Sequence, residues 1–462
     1  MTRVEELARF VESADWSGLS DEARQALKIR LLDAIGCAIG ALGGPPIAML
    51  RDQIIDFGGK PRSALIGGGR SAPDRAALFN GALVRYLDFN DSYLAKGETC
   101  HPSDNIGPVL AAADYADASG RDLLTALAVA YQVQCRLSEA APVRARGFDH
   151  TTQGAYSVAA GVAKVLGLDA AKIANAIAIS GTSYNSLRVT RTGSLSHWKG
   201  LAFPNTALGA CHAAFLAMRG ITGPAEVFEG NKGFMDAIAG EFQIDWSKEN
   251  LEMVTRTIVK KFNAEIHSQS ALEAALELRE ENGISGGDVE RVEIEIFDVA
   301  HNIIGGGEEG DKTIVRTKEE ADHSLQYMTA VALLDGAVLP DQYGTERIVR
   351  SDVQDLLKRV EVRPDQELSD MFPEHHACRI RLHLRDGRAL KKDKTDYEGF
   401  HTRPARWEVT AAKFRALAAA YIDDETAKRI EDAVGDLDNL RAADLTALLE
   451  GIDHFNSGGV DS

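Results

Sequence analysis

Cysteine is scarce in this chain, and its spacing excludes the commonest metal-binding motifs. The 462 residues include five cysteines, at Cys37, Cys100, Cys135, Cys211 and Cys378. No two of them are close enough in sequence to form a C-x-x-C pair, so neither an iron–sulfur nor a zinc signature is present. The spacing fits reduced thiols in a cytosolic protein. We therefore predict that the protein holds no metal.

A surplus of basic residues and long apolar runs are also lacking. The formal net charge is -18, so the chain has no basic excess to neutralise phosphates, and nucleic acid is not an expected partner. A local cluster of Lys, Arg and His can still make one cleft positive for an anionic substrate. No uninterrupted apolar run reaches about 18 residues, and the N-terminus lacks the apolar core of a signal peptide. We expect a cytoplasmic protein without a membrane partner.

Helical periodicity dominates the first part of the chain. Leu27, Leu31, Ile35 and Ile39 form one apolar stripe, and similar stripes recur at 121–138, 151–166, 169–180 and 205–218. Many of these positions are Ala or Gly, which permits close approach of helices. Helical patterns return near 408–421, 424–435 and 441–451. We predict a large all-helical domain over residues 1–264, completed by residues 405–462.

The middle of the chain combines strand patterns with helical ones. Residues 289–296 alternate with a period of two, and the segments 378–384 and 388–394 are joined by Asp386-Gly387, a strong hairpin signal. Helical patterns occupy about 318–339 and 345–358. The fold class is therefore mainly α, with a smaller α+β lid domain over 265–404 inserted into the helical domain, as expected for a chain too long for one core. Only the tail, residues 456–462, is expected to be disordered.

Residues 88–105, with the sequence DFNDSYLAKGETCHPSDN, place acids and a histidine on a loop punctuated by Gly and Pro. Either Asp91 or His101 can transfer a proton. A helix is predicted over 106–118, with a residue from 103 to 105 capping its first turn. In the alternative interpretation, Asp88 and Asp91 merely hold the loop through bonds to the backbone, and His101 is a satisfied turn histidine.

His150 lies just before a helix predicted to begin near Thr152. It can act in proton transfer, or Thr151 or Thr152 can cap the helix with His150 as an exposed neighbour.

Arg188, Arg191 and Lys199 place three cations within twelve residues. They can pair with substrate carboxylates, or they can equally form a solvated loop.

Three later segments supply further candidates. Lys260, Lys261 and His267 lie near the junction of the predicted domains, where a cleft is expected. Tyr327 can donate a hydrogen bond to a carboxylate or help protonate a leaving hydroxyl, although a buried tyrosine with one ordinary hydrogen bond is the commoner outcome. Arg403, at the return to the helical domain, can clamp a carboxylate with two hydrogen bonds.

Taken in order, these segments resemble the motifs of the MmgE/PrpD family. D-F-N-D and H-P-S-D-N occur at 88–91 and 101–105, and the segment after Gly147 is similar to G-F-H-x-T-x-x-G with the histidine one position later. Lys199 resembles the family's active-site lysine. The segment 260–270 is similar to K-x-x-F-P-A-E-F-H-x-Q-T, with Asn263 in place of proline and the lysine register shifted. Residues 323–327, HSLQY, are similar to F-S-L-P-Y.

The best-known members of that family are 2-methylcitrate dehydratases. The resemblance implies a homodimeric, cofactor-free hydro-lyase that removes water from a small hydroxy tricarboxylate, a reaction that needs a base, an acid and cations. The expected catalytic residues are Asp91, His101, His150, Lys199 and Tyr327, and the expected substrate-binding residues are Lys260, Lys261, His267, Arg191 and Arg403. Relatives include cis-aconitate decarboxylases and an epimerase, so another polycarboxylate reaction is an alternative. A non-catalytic organic-acid-binding protein is a further one.

Overall fold

Helices make up most of the chain, as the spacing of its apolar residues predicts, and the mainly α fold class is confirmed. The computed structural model describes residues 1–193 and 195–455. The tail predicted to be disordered, residues 456–462, lies outside the described residues. Two compact units are present. Unit 1 contains Met1–Arg191, His197–Ile258 and the described residues from Ala405 on, and unit 2 contains Val259–Pro404 with the described residues of Thr192–Ser196.

Unit 1 is built from helices with two short hairpins. Its elements in chain order are α1 (Arg3–Ser13), α2 (Asp21–Gly40), α3 (Pro45–Phe57), β1 (Ser63–Ala64), β2 (Arg70–Ser71), α4 (Pro73–Tyr86), β3 (Tyr93–Ala95), β4 (Glu98–Cys100), α5 (Ile106–Ala116), α6 (Gly120–Ala140), α7 (Thr151–Val165), α8 (Ala170–Ser183), α9 (Trp198–Met218), and, after unit 2, α17 (Trp407–Ala418), α18 (Asp424–Gly435) and α19 (Ala442–Glu450). Strands β1 and β2 pair antiparallel, as do β3 and β4.

Side-chain caps set where several of these helices begin. The Ser20 hydroxyl accepts from the backbone N–H of Ala23 at the start of α2, and Ser119 does the same for Asp122 in α6. Each cap satisfies one of the backbone donors that a helix N-terminus leaves open. The sequence therefore fixes these helix starts locally.

Small residues bring the helices of unit 1 close together, as predicted. A Cβ atom on Gly161 of α7 would lie 2.9 Å from the Ala130 Cβ of α6 and 3.0 Å from a methyl of Val109 in α5. Only a glycine fits at this crossing without displacing its neighbours. The resulting core is rich in alanine and leucine and includes residues of every helix in the unit from α1 to α9.

Unit 2 combines helices with one four-stranded sheet. Its elements are α10 (Gln269–Asn282), β5 (Val289–Ile296), α11 (Asp298–Ala300), α12 (Lys318–Ala321), α13 (Leu325–Asp335), α14 (Thr345–Ile348), α15 (Ser351–Leu357), β6 (Val360–Pro364), α16 (Gln366–Met371), β7 (Cys378–Leu384) and β8 (Ala389–Lys394). The strand order is β6-β5-β7-β8. β6 is parallel to β5, and the other pairs are antiparallel. The hairpin predicted at Asp386-Gly387 is present, with Gly387 at a positive φ of 90°.

Unit 2 differs from the sequence-based prediction at three places. The helix predicted over 318–339 is two helices, because the Ser324 hydroxyl accepts from the Tyr327 N–H and starts α13 anew. Strand β6 was not predicted, since its alternation extends over only four residues before Pro364. Val289 falls on the same side of the period-two alternation as Arg291 and Glu293, yet it is buried, because the β5–β7 register shifts between Val289 and Arg291.

Two features pass a length-and-hydropathy test for membrane spans: α9, and the pair α2–α3 taken together although it is bent by 89°. In α9, 61% of the most apolar window is buried inside the structure. A core helix of a folded domain has the same composition, so these features are weak evidence for a membrane span.

Candidate active site

The segment 88–105 in unit 1 is more ordered than the predicted loop. It contains the hairpin β3–β4 and ends in a single 3-10 turn, Pro102–Asn105, ahead of α5. Asn105 immediately precedes α5 but makes no capping hydrogen bond with its side chain, so the predicted cap is wrong. The hairpin and the turn instead hold His101, which is buried, between two hydrogen-bonded elements.

The tautomer of His101 follows from its contacts. Its Nδ1 lies 2.8 Å from the backbone oxygen of Asp91 and 3.0 Å from the Ser92 hydroxyl oxygen. Because a carbonyl oxygen only accepts, Nδ1 carries the proton and donates. A neutral His101 therefore has its lone pair on Nε2, the arrangement that a general base needs.

The Asp91 carboxylate is engaged on both oxygens. The Ser103 N–H donates to Oδ1 at 2.9 Å, and the Tyr131 hydroxyl donates to Oδ2 at 2.8 Å. Burial raises the pKa of Asp91 even though these bonds oppose the rise. The bond to Ser103 is the kind expected in the loop-holding interpretation, and the Asp91 carbonyl also orients His101. These contacts are those of a positioning residue, and proton transfer by Asp91 stays a prediction.

Lys199 lies in the first turn of α9 and is buried. Its Nζ is 3.3 Å from Asp88 Oδ2, and the guanidinium of Arg85 is 2.5 Å from Asp88 Oδ1. Two buried cations therefore share one carboxylate. The interpretation of Lys199 as part of a solvated loop is wrong.

Asp149, His150 and Arg191 form a second buried group. Arg191 Nε lies 3.0 Å from Asp149 Oδ2, and Arg188 Nη1 lies 3.7 Å from the same oxygen. Burial alone would raise the pKa of Asp149, but the Coulombic attraction of Arg191 and its neighbours outweighs it and holds the pKa well below the usual range. Arg191 is therefore a buried, paired cation and not a solvated one.

His150 is neutral and presents a donor. Burial, together with the nearby guanidinium groups, lowers its pKa to about 3. Arg191 Nη2 donates to His150 Nε2 at 3.1 Å, so the imidazole proton is on Nδ1. Within residues 1–193 and 195–455, Nδ1 has no hydrogen-bond partner. The expectation of an exposed His150 beside a threonine cap is wrong, because His150 is 3% exposed and α7 begins without a side-chain cap.

The two histidines of unit 1 are neighbours with opposite roles. Their ring centroids lie 5.3 Å apart, with the planes inclined at 68°. His101 carries a lone pair on Nε2, and His150 carries a buried N–H. Such a pair can remove a proton at one position and donate a hydrogen bond at another.

Asp104 is a candidate that the sequence interpretation missed. Burial raises its pKa to about 7, although Arg85 Nε lies 3.7 Å from Oδ2 and the Asn90 side chain donates to Oδ1 at 2.9 Å. Its Oδ2 makes no hydrogen bond to any described residue. A carboxyl group that is half protonated near neutral pH can act as an acid. Its place in H-P-S-D-N was the available signal, but that position was interpreted only as a helix cap.

Hydrogen bonds, ion pairs and the ring contact between His101 and His150 join these groups within unit 1. Arg85 contacts Asp88, which holds Lys199, and also contacts Asp104. Asn90 connects Asp104 to Ser103. Ser103 binds Asp91, and the histidine pair leads on to Arg191. We call this set the histidine network, with the members Arg85, Asp88, Asn90, Asp91, His101, Ser103, Asp104, Asp149, His150, Arg191 and Lys199.

In unit 2, Glu265 orients His267. Glu265 Oε1 lies 2.7 Å from His267 Nδ1, and Oε2 accepts from the His267 backbone N–H at 2.7 Å. Burial would raise the pKa of Glu265, but the charge of His267 and of nearby cations outweighs it and lowers the pKa to about 2. His267 is buried, and its Nε2 has no hydrogen-bond partner among the residues that the structure describes. The carboxylate thus leaves Nε2 for a ligand.

The remaining predicted residues of unit 2 have protein partners. Lys261 lies 3.1 Å from Glu273 and 3.1 Å from Glu398, and Arg403 lies 3.1 Å from Glu273. Lys260 is buried, whereas 35% of the Lys261 side chain is exposed. The Lys261 and Arg403 side chains are thus held by carboxylates of unit 2, and their roles as substrate ligands stay predictions.

Tyr327 of unit 2 is fully buried, and its hydroxyl donates to the backbone oxygen of Gln342. This contact is the ordinary hydrogen bond of the alternative interpretation. Burial raises the pKa of Tyr327, which makes the phenol a weaker acid than usual. Its catalytic role stays a prediction.

Replacing Glu265 with glutamine is expected to lower the free energy of unfolding at pH 7 by about 1–3 kcal/mol, because a buried charged acceptor becomes neutral. The folded pKa of about 2 lies below the ordinary value of 4.5. The carboxylate therefore stabilises the fold fully at pH values above 4.5, and this stabilisation is lost as the pH falls towards 2. The difference between the two proteins in urea unfolding should therefore narrow on acidification. Glu280→Gln, at an exposed position of α10, is the control; an equal loss there would contradict the prediction.

Comparison with known families identifies the chain. The model of the MmgE/PrpD N-terminal domain matches residues 5–247, and the model of the MmgE/PrpD C-terminal domain matches residues 262–439. The chain belongs to the MmgE/PrpD family. The resemblance that the motifs indicated is thus confirmed.

Three relatives illustrate the range of named activities within this family. A 2-methylcitrate dehydratase of Escherichia coli (strain K12) is 31% identical over 401 residues, which is 81% of either chain. A cis-aconitate decarboxylase of Mus musculus is 27% identical over 477 residues, covering 97% of this chain and 93% of its own. The alkylcitrate dehydratase phiI of a fungal species (strain ATCC 74256) is 27% identical over 449 residues, covering 90% and 88%.

Proposed function

We propose that this MmgE/PrpD protein is a hydro-lyase that removes water from a hydroxy tricarboxylate, with 2-methylcitrate as its substrate, and that side chains alone carry the reaction. The observation that carries the proposal is the His101–His150 pair. Its ring centroids lie 5.3 Å apart, and one ring presents a lone pair while the other presents an N–H. The similarity to the Escherichia coli 2-methylcitrate dehydratase over 81% of the chain supports the choice of substrate.

In the proposed reaction, His101 Nε2 removes a proton from the carbon beside a carboxylate. The negative charge that develops on that carboxylate is stabilised by the cation of Lys199 and by the N–H of His150. The bond from carbon to the hydroxyl oxygen breaks, and Asp104 in its protonated form gives a proton to that oxygen, so that water leaves. The proton held by His101 passes through solvent back to Asp104. The hydrogen and the hydroxyl group of the substrate thus leave together as one molecule of water, and the enzyme returns to its starting protonation state.

Cations and hydrogen-bond donors are the proposed ligands of the substrate carboxylates. For unit 1 we propose Arg191. For unit 2, the roles of His267, Lys260, Lys261 and Arg403 as carboxylate ligands stay predictions from the family motifs. Guanidinium and ammonium groups bind carboxylates through charge-assisted hydrogen bonds. His267 is the best supported of the unit 2 group, because Glu265 fixes its ring and leaves Nε2 without a protein partner in the described chain.

The test of the proposed function uses protein treated with EDTA and dialysed. Addition of 2-methylcitrate should raise the ultraviolet absorbance as the conjugated product forms, at the same rate before and after metal removal. Loss of the activity on metal removal and its recovery with added metal would overturn the side-chain mechanism. If neither 2-methylcitrate nor cis-aconitate is consumed although one of them binds, the protein is an organic-acid-binding protein and the proposal is wrong.

A cis-aconitate decarboxylase is the second candidate, because the relative of that name is similar over 97% of this chain. Loss of carbon dioxide also builds negative charge beside a carboxylate, so the same cations serve it. Release of carbon dioxide from cis-aconitate, with no consumption of 2-methylcitrate, would decide for this candidate.

We also propose that the protein is a cytoplasmic homodimer. Three large apolar side chains of unit 1 within twelve residues, Leu187, Val189 and Trp198, are 59%, 69% and 49% exposed, and apolar surface gathered in one patch is typical of interfaces. Light scattering coupled to gel filtration should give twice the chain mass of 49.8 kDa. A mass of one chain at micromolar concentration would contradict this proposal.

A further inference from the structure

A cavity of about 370 Å³ opens in unit 1 beside the N-terminus of α4. It shares no residue with the histidine network. Its walls come from the segment before β1, the start of α4, the end of α5 and the last turns of α9. We call it the α4 cavity.

The α4 cavity is cationic on a protein that is acidic as a whole. Lys60, Arg62 and Arg219 line it, and none of the three lies within 4.0 Å of a carboxylate of any described residue. The one acid in the lining is Asp74, which lies 3.7 Å from His212 Nδ1 and accepts from the Arg75 N–H at 2.9 Å. Unpaired cations collected around a concave surface favour an anionic ligand, in contrast to the net charge of -18.

The N-terminus of α4 is already occupied by the chain itself. Pro73 has no N–H, and Asp74 in the first turn accepts from the Arg75 N–H at 2.9 Å. The anion preference of the cavity therefore rests on its three cations.

Part of the cavity lining is an aromatic wall. Tyr115 and Phe215 lie with ring centroids 4.8 Å apart and planes at 85°, and Leu216 extends the apolar surface. The Arg62 guanidinium lies 5.1 Å from the Tyr115 ring centroid, and Arg219 Nη1 donates to the Phe215 backbone oxygen at 3.2 Å. The two arginines are thus held against the aromatic wall, which reduces the entropy lost when they bind an anion.

We propose that the α4 cavity binds a heteroaromatic ring that carries a phosphate, the chemistry of a mononucleotide. The phosphate binds Lys60, Arg62 and Arg219, and the ring packs against Tyr115 and Phe215. A bare anion would leave the aromatic wall unused, and an aromatic ring without charge would leave three cations unpaired. The volume lies within the range of about 300–1,000 Å³ usual for small-molecule sites. This inference goes beyond the proposed hydro-lyase activity.

The test is isothermal titration of the full-length protein with AMP, adenosine and inorganic phosphate, in the absence of any tricarboxylate. AMP should bind saturably and at least about tenfold more tightly than phosphate or adenosine, since only AMP uses both the cations and the aromatic wall. Arg62→Glu combined with Arg219→Glu should weaken AMP binding at least about tenfold. Phe215→Ala should weaken AMP binding and leave phosphate binding unchanged. Lys358→Glu, an exposed lysine of unit 2, is the control and should change nothing.

Lys60→Glu keeps the test decisive if the double variant fails to fold, because Lys60 is exposed and its side chain makes no hydrogen bond or ion pair with a described residue. It should weaken AMP binding while the melting temperature stays unchanged. Absence of AMP binding, equal affinity for AMP and phosphate, or an equal loss in Lys358→Glu would each overturn the proposal. Because binding is measured without substrate, these outcomes are independent of the hydro-lyase assay.

Discussion

Replacing His101 with glutamine is expected to lower kcat by about 10²–10⁴-fold, the usual contribution of a general base. Glutamine keeps a donor that can reach the Asp91 carbonyl, to which His101 Nδ1 donates at 2.8 Å, but it supplies no basic nitrogen. KM should change much less than kcat, because the lost interaction is with the transferred proton and not with the substrate carboxylates. Steady-state rates with the preferred tricarboxylate measure both constants.

The matched control is His375→Gln, at an exposed position of unit 2. It changes the same functional group and should leave kcat unaltered. The melting temperature of each variant shows whether folding is intact. If His101→Gln retains kcat to within a few-fold while remaining folded, His101 is not the base and the satisfied-turn-histidine interpretation is correct.

Replacing Asp149 with asparagine is expected to give the largest loss of stability, about 3–5 kcal/mol, because it removes one partner of a buried charge group. Arg191 Nε lies 3.0 Å from the carboxylate and Arg188 Nη1 lies 3.7 Å away, while the Asp149 side chain has no solvent exposure. Asparagine leaves these guanidinium groups without their counter-charge. Urea unfolding at pH 7 measures the change, and catalytic rates should fall with it, since Arg191 also donates to His150.

The stability difference between wild type and Asp149→Asn should depend on pH in a defined direction. The folded pKa of Asp149 lies below its ordinary value of 3.8, so the carboxylate contributes stability above that value and loses its contribution as the pH falls below it. The gap between wild type and Asp149→Asn should therefore shrink in acid. Asp21→Asn serves as the control, since Asp21 is 95% exposed in its 2.9 Å pair with Arg24 and should cost less than about 1 kcal/mol. A loss of similar size at Asp21, or a gap that widens in acid, would contradict the prediction.

The helices of unit 1 could be predicted because their signals are local. The apolar stripe through Leu27 and Ile35 indicates α2, and Ser20 and Ser119 cap helices within three residues of themselves. The predicted segment at 205–218 begins seven residues late, because α9 starts at Trp198 and includes Pro204 inside the helix. Proline is disfavoured in a helix interior, so the sequence alone argued for a later start.

The short elements could not be predicted because their partners are distant in sequence. Strand β6 is parallel to β5 from almost seventy residues earlier, and only its two valines supply apolar signal. The hairpin within residues 88–105 has only three residues in each strand. Strands this short take their stability from the neighbours on which they pack, and a window of sequence does not contain those neighbours.

The candidate site divides in the same way. The sequence identified His101, His150, Arg191 and Lys199 as candidates, because acids, histidines and cations on motif segments suit proton transfer. The sequence did not show that His150 is buried and neutral, or that burial raises the pKa of Asp104 to about 7.

By itself, the sequence determined the helical class, the family motifs and the residue types available for acid–base chemistry. The tertiary structure alone decided which nitrogen of each histidine carries the proton, which carboxylates are paired, and that one cavity of an acidic molecule gathers unpaired cations. The reason is physical: protonation states and ion pairs depend on burial and on charges brought together from distant segments, whereas caps and periodicity depend on neighbours along the chain.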